Sequence, residues 1–194
     1  MIAYKGISQD MTARLGNQDG EKFRIGQTYT VKKSKTANCG YHCCENPAQC
    51  LGYYDLRTDR FFKVEAAGSI DEDSNERIAC TKITILEELD TKGFFAACMK
   101  YIVGHPERDK WEWSGKGVEI ARNSAKAAVI AIARGEDPRA MIRECEGYIG
   151  LIKEDANGML LKAEIIKIDN KSRYSGTWYH INPSGIVEEV RREA

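Results

Sequence analysis

The chain lacks any excess of one charge: lysine and arginine together number 29, and aspartate and glutamate together number 29. Nucleic-acid-binding proteins usually carry a basic face, so we expect no direct nucleic-acid partner. No apolar run reaches the ~18 residues of a membrane span, so no membrane partner is expected either. The opening Met1–Gly6 brings a lysine and a glycine before any apolar stretch develops, which predicts no secretory leader. Together these absences predict a cytoplasmic protein.

Catalytic motifs are also scarce. The segment Gly115–Gly117 has neither the full spacing of a phosphate-binding loop nor a following serine or threonine. His42 and Cys43 are adjacent on a predicted strand, so their side chains would point to opposite faces and could not form a nucleophile–base pair. The absence of a complete catalytic set favours a protein that is not an enzyme.

Cysteine, in contrast, is plentiful, and four of the seven cysteines lie within Asn38–Cys50. An odd number excludes complete disulfide pairing and favours free thiols in a reducing compartment. Cys39, His42 and Cys43 have the spacing of half a zinc site, but no second pair of ligands follows. Free thiols packed in a core are therefore the favoured interpretation, with no metal bound, and zinc at these three residues is the alternative.

On the predicted strand that holds these residues, strict alternation places Tyr41 and Cys43 toward the core and His42 and Cys44 toward the outside. Asn46 and Pro47 give the N-cap and first position of a short helix. Local pattern predicts further elements in the first half, namely strands at Ile2–Lys5, Arg60–Ala66 and Ile78–Leu86 and helices at Pro47–Tyr54 and Thr91–Val103.

The stretch Trp111–Ile152 supports two interpretations. An alanine-rich segment, Ser124–Arg134, favours a helix, and Asp137 and Pro138 would cap a second one running to Glu144. However, apolar residues alternate and glycines recur at short intervals, as in the coils of a β-solenoid. The tail is clearer, because Met159–Ile168 alternates as a strand and Gly176–Val190 has the pattern of a hairpin.

Several motifs resemble an uncharacterised group of bacterial and phage proteins. Its members open with alanine-tyrosine-lysine-glycine-phenylalanine and later carry glycine-phenylalanine-histidine-alanine-cysteine-glutamate-asparagine-proline. The matching segments lie near both ends of the chain: Ala3–Gly6, Gly40–Pro47, Phe61–Gly68, Lys82–Ile85, Gly147–Ile152 and Gly176–Tyr179. The resemblance implies a β-solenoid in the middle. We therefore predict an α+β fold: an N-terminal mixed sheet with short helices (1–108), then a mainly β region of solenoid-like coils ending in a hairpin (109–194).

The first half also resembles the ADP-ribosyltransferase superfamily in the order of its motifs. In that fold a residue of the first strand binds the ribose of NAD, a place that Lys5 takes here instead of histidine or arginine. The resemblance implies that Tyr41 and Tyr53 sandwich the nicotinamide ring and that Glu87 or Glu88 has the last catalytic role.

Aromatic residues near predicted loops, Trp111, Trp113, Trp178 and Tyr179, are candidates for binding a protein partner, or else plugs at the ends of a β layer. The phage resemblance implies an accessory protein of a mobile element in the host bacterial cytoplasm. We expect it to bind a host protein stoichiometrically, such as a defence nuclease complex that it inhibits as anti-CRISPR proteins do. The alternative is an ADP-ribosyltransferase-like enzyme, or an inactive descendant that still binds NAD.

Overall fold

β-Strands make up most of the regular structure in the computed structural model, which describes residues 1–13, 20–73, 77–106, 110–111, 114–116, 119–122, 130–143 and 146–190. The chain divides into two compact units, Met1–Cys98 and Met99–Ala194. The predicted α+β class with a β-rich second half is confirmed. The domain limits 1–108 and 109–194 stay a prediction. No helix in the described part of the chain has the length and hydropathy needed to cross a bilayer.

The first unit is built on one sheet. Its elements are β1 (Ile2–Ile7), β2 (Thr28–Thr30), β3 (Tyr41–Cys44), a 3-10 helix η1 (Pro47–Gly52), β4 (Arg60–Glu72), β5 (Arg77–Leu89) and the start of α1 (Thr91–Gly104). The strand order is β2-β5-β3-β1-β4, and β4 also pairs with β5. β5, β3, β1 and β4 therefore close into a ring, a small barrel in which neighbouring strands are antiparallel.

Alternating side chains of these strands fill the barrel. Apolar residues from β1, β3, β4 and β5 form one buried cluster, joined by Phe23. Ala3 and Ile7 of β1 belong to it, and Lys5 lies between them on the same face of the strand. β1 thus carries one lysine on a face that is otherwise apolar.

The local signals for η1 were correct, but the helix is shorter than predicted. Asn46 caps it, since its Oδ1 accepts a hydrogen bond from the Ala48 N–H at 3.0 Å. β4 and β5 run further than the predicted strands, to Glu72 and Leu89, because they pair with each other over most of their length. Strand length here depends on the partner rather than on local propensity.

The second unit consists mainly of short strands. They are β6 (Lys110–Trp111), β7 (Ser114–Lys116), β8 (Glu119–Arg122), β9 (Ile130–Gly135), β10 (Arg139–Ile142), β11 (Gly147–Glu154), β12 (Leu160–Ile168), β13 (Tyr179–Ile181) and β14 (Val187–Glu189). β7, β9 and β11 stack in parallel, with Ser114, Ile132 and Gly150 in register. β8 and β10 form a second parallel stack. These are solenoid-like coils.

Strands therefore occur at 130–135 and 139–142, where helices were the alternative interpretation. The rest of the candidate helices, 124–129 and 144, lies outside the described residues. After the coils, β12 pairs antiparallel with β11, and β13 and β14 form the predicted hairpin. A buried ion pair joins Arg134 of β9 to Glu154 of β11, where Arg134 Nε lies 3.0 Å from Glu154 Oε1.

Candidate functional site

The first unit contains a cavity of about 210 Å³. Its walls come from Tyr4–Gly6 of β1, Ala37, His42–Cys44 of β3, Cys50 of η1, Tyr53–Tyr54 after η1, and Arg77 of β5. Pockets for drug-sized ligands commonly measure about 300–1,000 Å³, so this cavity fits a small molecule or one ring of a larger one.

Gly6 and Tyr54 shape one wall. A Cβ atom at Gly6 would lie 2.3 Å from Cγ and Cδ2 of the Tyr54 ring, far inside van der Waals contact. Only glycine lets the ring lie this close to the strand. The backbone N–H groups of Tyr53 and Tyr54 both donate to the Cys50 carbonyl at 3.0 Å, so η1 sets the position of both tyrosines.

Lys5 is 5% exposed. Its Nζ donates to the His42 carbonyl oxygen at 2.8 Å and lies 5.6 Å from the centre of the Phe23 ring. Among the described residues, no salt bridge joins Lys5 to a carboxylate. Burial lowers the pKa of the amine, and the thiols of Cys43 and its neighbours oppose that shift. The site thus holds a buried amine that donates to a backbone carbonyl, with no carboxylate paired to it among the described residues.

His42 is half-buried, and its Nε2 is buried without a hydrogen-bond partner in the described part of the chain. Burial lowers the pKa of this imidazole, and the charge of Lys5 lowers it further. At neutral pH the ring is therefore neutral. A buried polar atom without a partner is uncommon in folded proteins.

Tyr53 and Arg77 form the open side of the cavity. Tyr53 is 43% exposed, and its hydroxyl accepts a hydrogen bond from Arg77 Nη1 at 3.2 Å. Arg77 Nε also donates to Asp73 Oδ2 at 2.6 Å, and this bond, with that to Tyr53, raises the pKa of the guanidinium. A tyrosine and a held arginine at an opening are residue types that often dominate binding energy.

Two thiols that line the cavity, Cys43 and Cys44, form hydrogen bonds with other cysteines. Cys43 bonds Cys80 and Cys44 bonds Cys50, and in each case the bond, followed by burial, raises the pKa of the first thiol well above its usual value. The Cys43 and Cys44 thiols are protonated at neutral pH, whereas zinc binds thiolates. The described residues contain no group of three or more histidine, cysteine, aspartate or glutamate side chains that could hold a metal ion.

The structure separates the sequence-predicted site residues into two sets. Lys5, Tyr53, His42 and Cys43 line the cavity, whereas Cys39 does not. The expected outward position of Cys44 is wrong: this thiol is only 4% exposed, because η1 covers that face of β3.

Tyr41 points into the barrel instead, 6.2 Å from Phe23 between ring centres, with its hydroxyl 3.3 Å from Glu21 Oε1. The two predicted glutamates also lie away from the cavity walls. Glu87 binds Lys63 at 3.1 Å, and Glu88 accepts from Arg60 Nε at 2.8 Å.

The aromatic candidates of the second half differ in position. Trp178 and Tyr179 are buried, 9% and 2% exposed, so neither side chain presents an exposed aromatic surface. Tyr179 also holds a loop, since its hydroxyl accepts from the Tyr174 N–H at 2.9 Å. Trp111 lies on β6, and Trp113 lies outside the described residues.

Sequence reasoning missed Tyr4, Tyr54 and Arg77 as residues of the cavity. Tyr54 carried a signal, since it directly follows the candidate Tyr53. Arg77 carried none, because its place depends on the register that sets it opposite Cys44.

A sequence model of one family, described as a domain of unknown function (DUF7666), matches residues 1–97. No curated protein and no solved structure matches the chain. The matched residues include every wall of the cavity.

Proposed function

The chain belongs to the family of DUF7666, a domain of unknown function, and from the chemistry of its cavity we propose that it acts by binding a partner and not by catalysis. One observation carries this proposal. The cavity is lined by an amine, an imidazole, a guanidinium, phenols and thiols, while Glu87 and Glu88 are engaged in ion pairs with Lys63 and Arg60. No carboxylate is thus present among the described walls, so the last catalytic role that the transferase resemblance gives to a glutamate has no side chain here.

The partner that we propose is a host macromolecule, bound at one molecule per chain. The resemblance to phage proteins makes a bacterial defence nuclease complex the sharpest form of this proposal, with the chain as its inhibitor. Tyr53 and Arg77 are the anchors we propose, because they are accessible, held by a mutual hydrogen bond and of the types that dominate interfaces.

Capture from host lysate followed by mass spectrometry, with wild type and Tyr53→Ala as bait, tests the anchor. Tyr174→Ala is the matched control, because Tyr174 is a similarly exposed tyrosine (51%) in the second unit. The proposal expects one partner that the wild type and the control retain and Tyr53→Ala loses.

A titration then tests the mechanism. Inhibition of the captured partner by the purified chain should be complete at molar parity. Complete inhibition at a small fraction of parity would mean turnover and would overturn the proposal.

A second candidate is a protein that binds NAD as a descendant of an ADP-ribosyltransferase. It is favoured by one observation: Lys5 and Tyr53, two of the residues that the resemblance marks, line the same cavity. Tyr41, the other expected ring of the sandwich, is in the barrel core. The cavity volume suits a nicotinamide ring rather than a whole dinucleotide.

Calorimetry with NAD and with nicotinamide distinguishes this candidate. Binding of either that is lost in Tyr53→Ala supports it, and labelled NAD with lysate then reports transfer. If neither a heat of binding nor label transfer is observed, this candidate is eliminated and the first proposal stands.

A further inference from the structure

β12 forms one edge of its sheet. In the described part of the chain it pairs only with β11, so the backbone N–H and C=O groups of its other side have no strand partner. Unpaired edges of this kind can pair with another strand. Apolar side chains are exposed here: Leu160 is 48% exposed, Leu161 61% and the preceding Met159 66%.

The sequence of β12 is complementary to itself when it is read outward from Ala163. The flanking residues are Lys162 and Glu164, and beyond these come Leu161 and Ile165. If two β12 strands pair antiparallel around a two-fold axis at Ala163, each Lys162 lies opposite the partner's Glu164. Each Leu161 then lies opposite the partner's Ile165.

The charges of Lys162 and Glu164 favour an axis at Ala163 over an axis at either neighbouring residue. Lys162 Nζ and Glu164 Oε1 are 3.0 Å apart within one chain, and both side chains are partly exposed. In the paired strands they would form an alternating group of four charges. An axis moved to Lys162 or to Glu164 would instead set like charges directly opposite each other, which destabilises a strand pair.

We propose that β12 is a self-association edge, through which two copies of this chain form an antiparallel strand pair centred on Ala163. The contact is the same surface on both copies, as two-fold symmetry requires. It joins two sheets into one and covers the exposed leucines of both edges. This interface is independent of the cavity and of its proposed partner.

Light scattering of the purified full chain tests the interface by charge reversal. The wild type should have twice the chain mass of 21.8 kDa. Lys162→Glu and Glu164→Lys each set like charges opposite, and each should weaken the dimer by about tenfold or more. The double variant Lys162→Glu/Glu164→Lys restores opposite charges and should restore the dimer. Lys171→Glu, the same charge change at an exposed loop residue, is the control and should leave the mass unchanged.

A cross-link tests the axis. Ala163→Cys brings two thiols face to face, so oxidised glutathione should produce a disulfide-linked dimer through position 163, identified by peptide mass spectrometry. Wild type treated in the same way controls for the native cysteines. A monomeric wild type, a dimer that survives both single reversals, or no cross-link at position 163 would overturn the proposal. Circular dichroism of each variant confirms that a loss of mass is not a loss of fold.

Discussion

Lys5 and Gly6 are neighbours on β1, but they face opposite sides of the strand and have different tasks. The Lys5 amine lies among the thiols and the Phe23 ring inside the barrel. Gly6 makes room on the other face for the Tyr54 ring. In the sequence, only a family resemblance singled out Lys5 and Gly6. The packing in the structure explains why each residue type stands at its position.

Gly6→Ala should destabilise the protein by about 1–3 kcal/mol, because its methyl group would overlap the Tyr54 ring. Urea unfolding measures the loss. Gly52→Ala is the control: nothing lies within 4 Å of a Cβ there, so we expect a change below about 1 kcal/mol. Equal effects at both positions would contradict the close contact.

Lys5→Met should change the pH dependence of stability. The pKa of Lys5 is lowered in the folded protein, so between that pKa and the ordinary value of about 10.4 the unfolded chain binds more protons. The free energy of unfolding of the wild type, relative to Lys5→Met, should therefore rise with pH in this window, by about 1.4 kcal/mol for each unit of pKa depression. Urea unfolding of both proteins at neutral pH and near pH ~10 checks this. If the difference in unfolding free energy between the two proteins is the same at both pH values, the pKa of Lys5 is not lowered in the folded protein.

Among the elements, local signals predicted η1, whereas for β9 they allowed both a helix and a strand, and the family resemblance favoured the strand. The asparagine and proline that start η1 act within their own turn, so sequence alone indicates the helix. In β9, the alanines favour helix, but Ala131 and Ala133 are fully buried, in register with Ile149 and Leu151 of β11. Hydrogen bonds to strands distant in sequence outweigh a propensity of less than about 1 kcal/mol per residue.

Asn46→Ala should destabilise the first unit by about 0.5–2 kcal/mol, at the higher end because the unpaired Ala48 N–H is buried. Thermal or urea unfolding measures it. Asn46→Ser retains an acceptor and should recover most of the loss, whereas equal losses in both variants would mean that side-chain volume, and not the cap, matters.

At the scale of the whole molecule, the family match describes only the first of the two units. The family match covers residues 1–97 and therefore the barrel and its cavity, while the solenoid-like strands lie beyond it. The candidate functions attach to different places accordingly, ligand or partner binding to the first unit and self-association to β12.

If β12 joins two copies, the melting temperature of the wild type should rise with protein concentration, because dimerisation stabilises the folded state by mass action. Differential scanning fluorimetry of dilute and concentrated samples checks this. The melting temperature of Lys162→Glu should rise less over the same concentration range, because its dimer is weaker, and a rise of equal size in the variant would contradict a dimer through β12.

Local signals were sufficient for the cap of η1 and the final hairpin, because each depends on residues near one another along the chain. Long-range pairing was needed to bring Lys5, His42, Tyr53 and Arg77 to one cavity and to send Tyr41, Glu87 and Glu88 elsewhere. The reason is geometric: side chains alternate across a strand, so the side on which each residue lies depends on strand register, and partners dozens of residues away set that register.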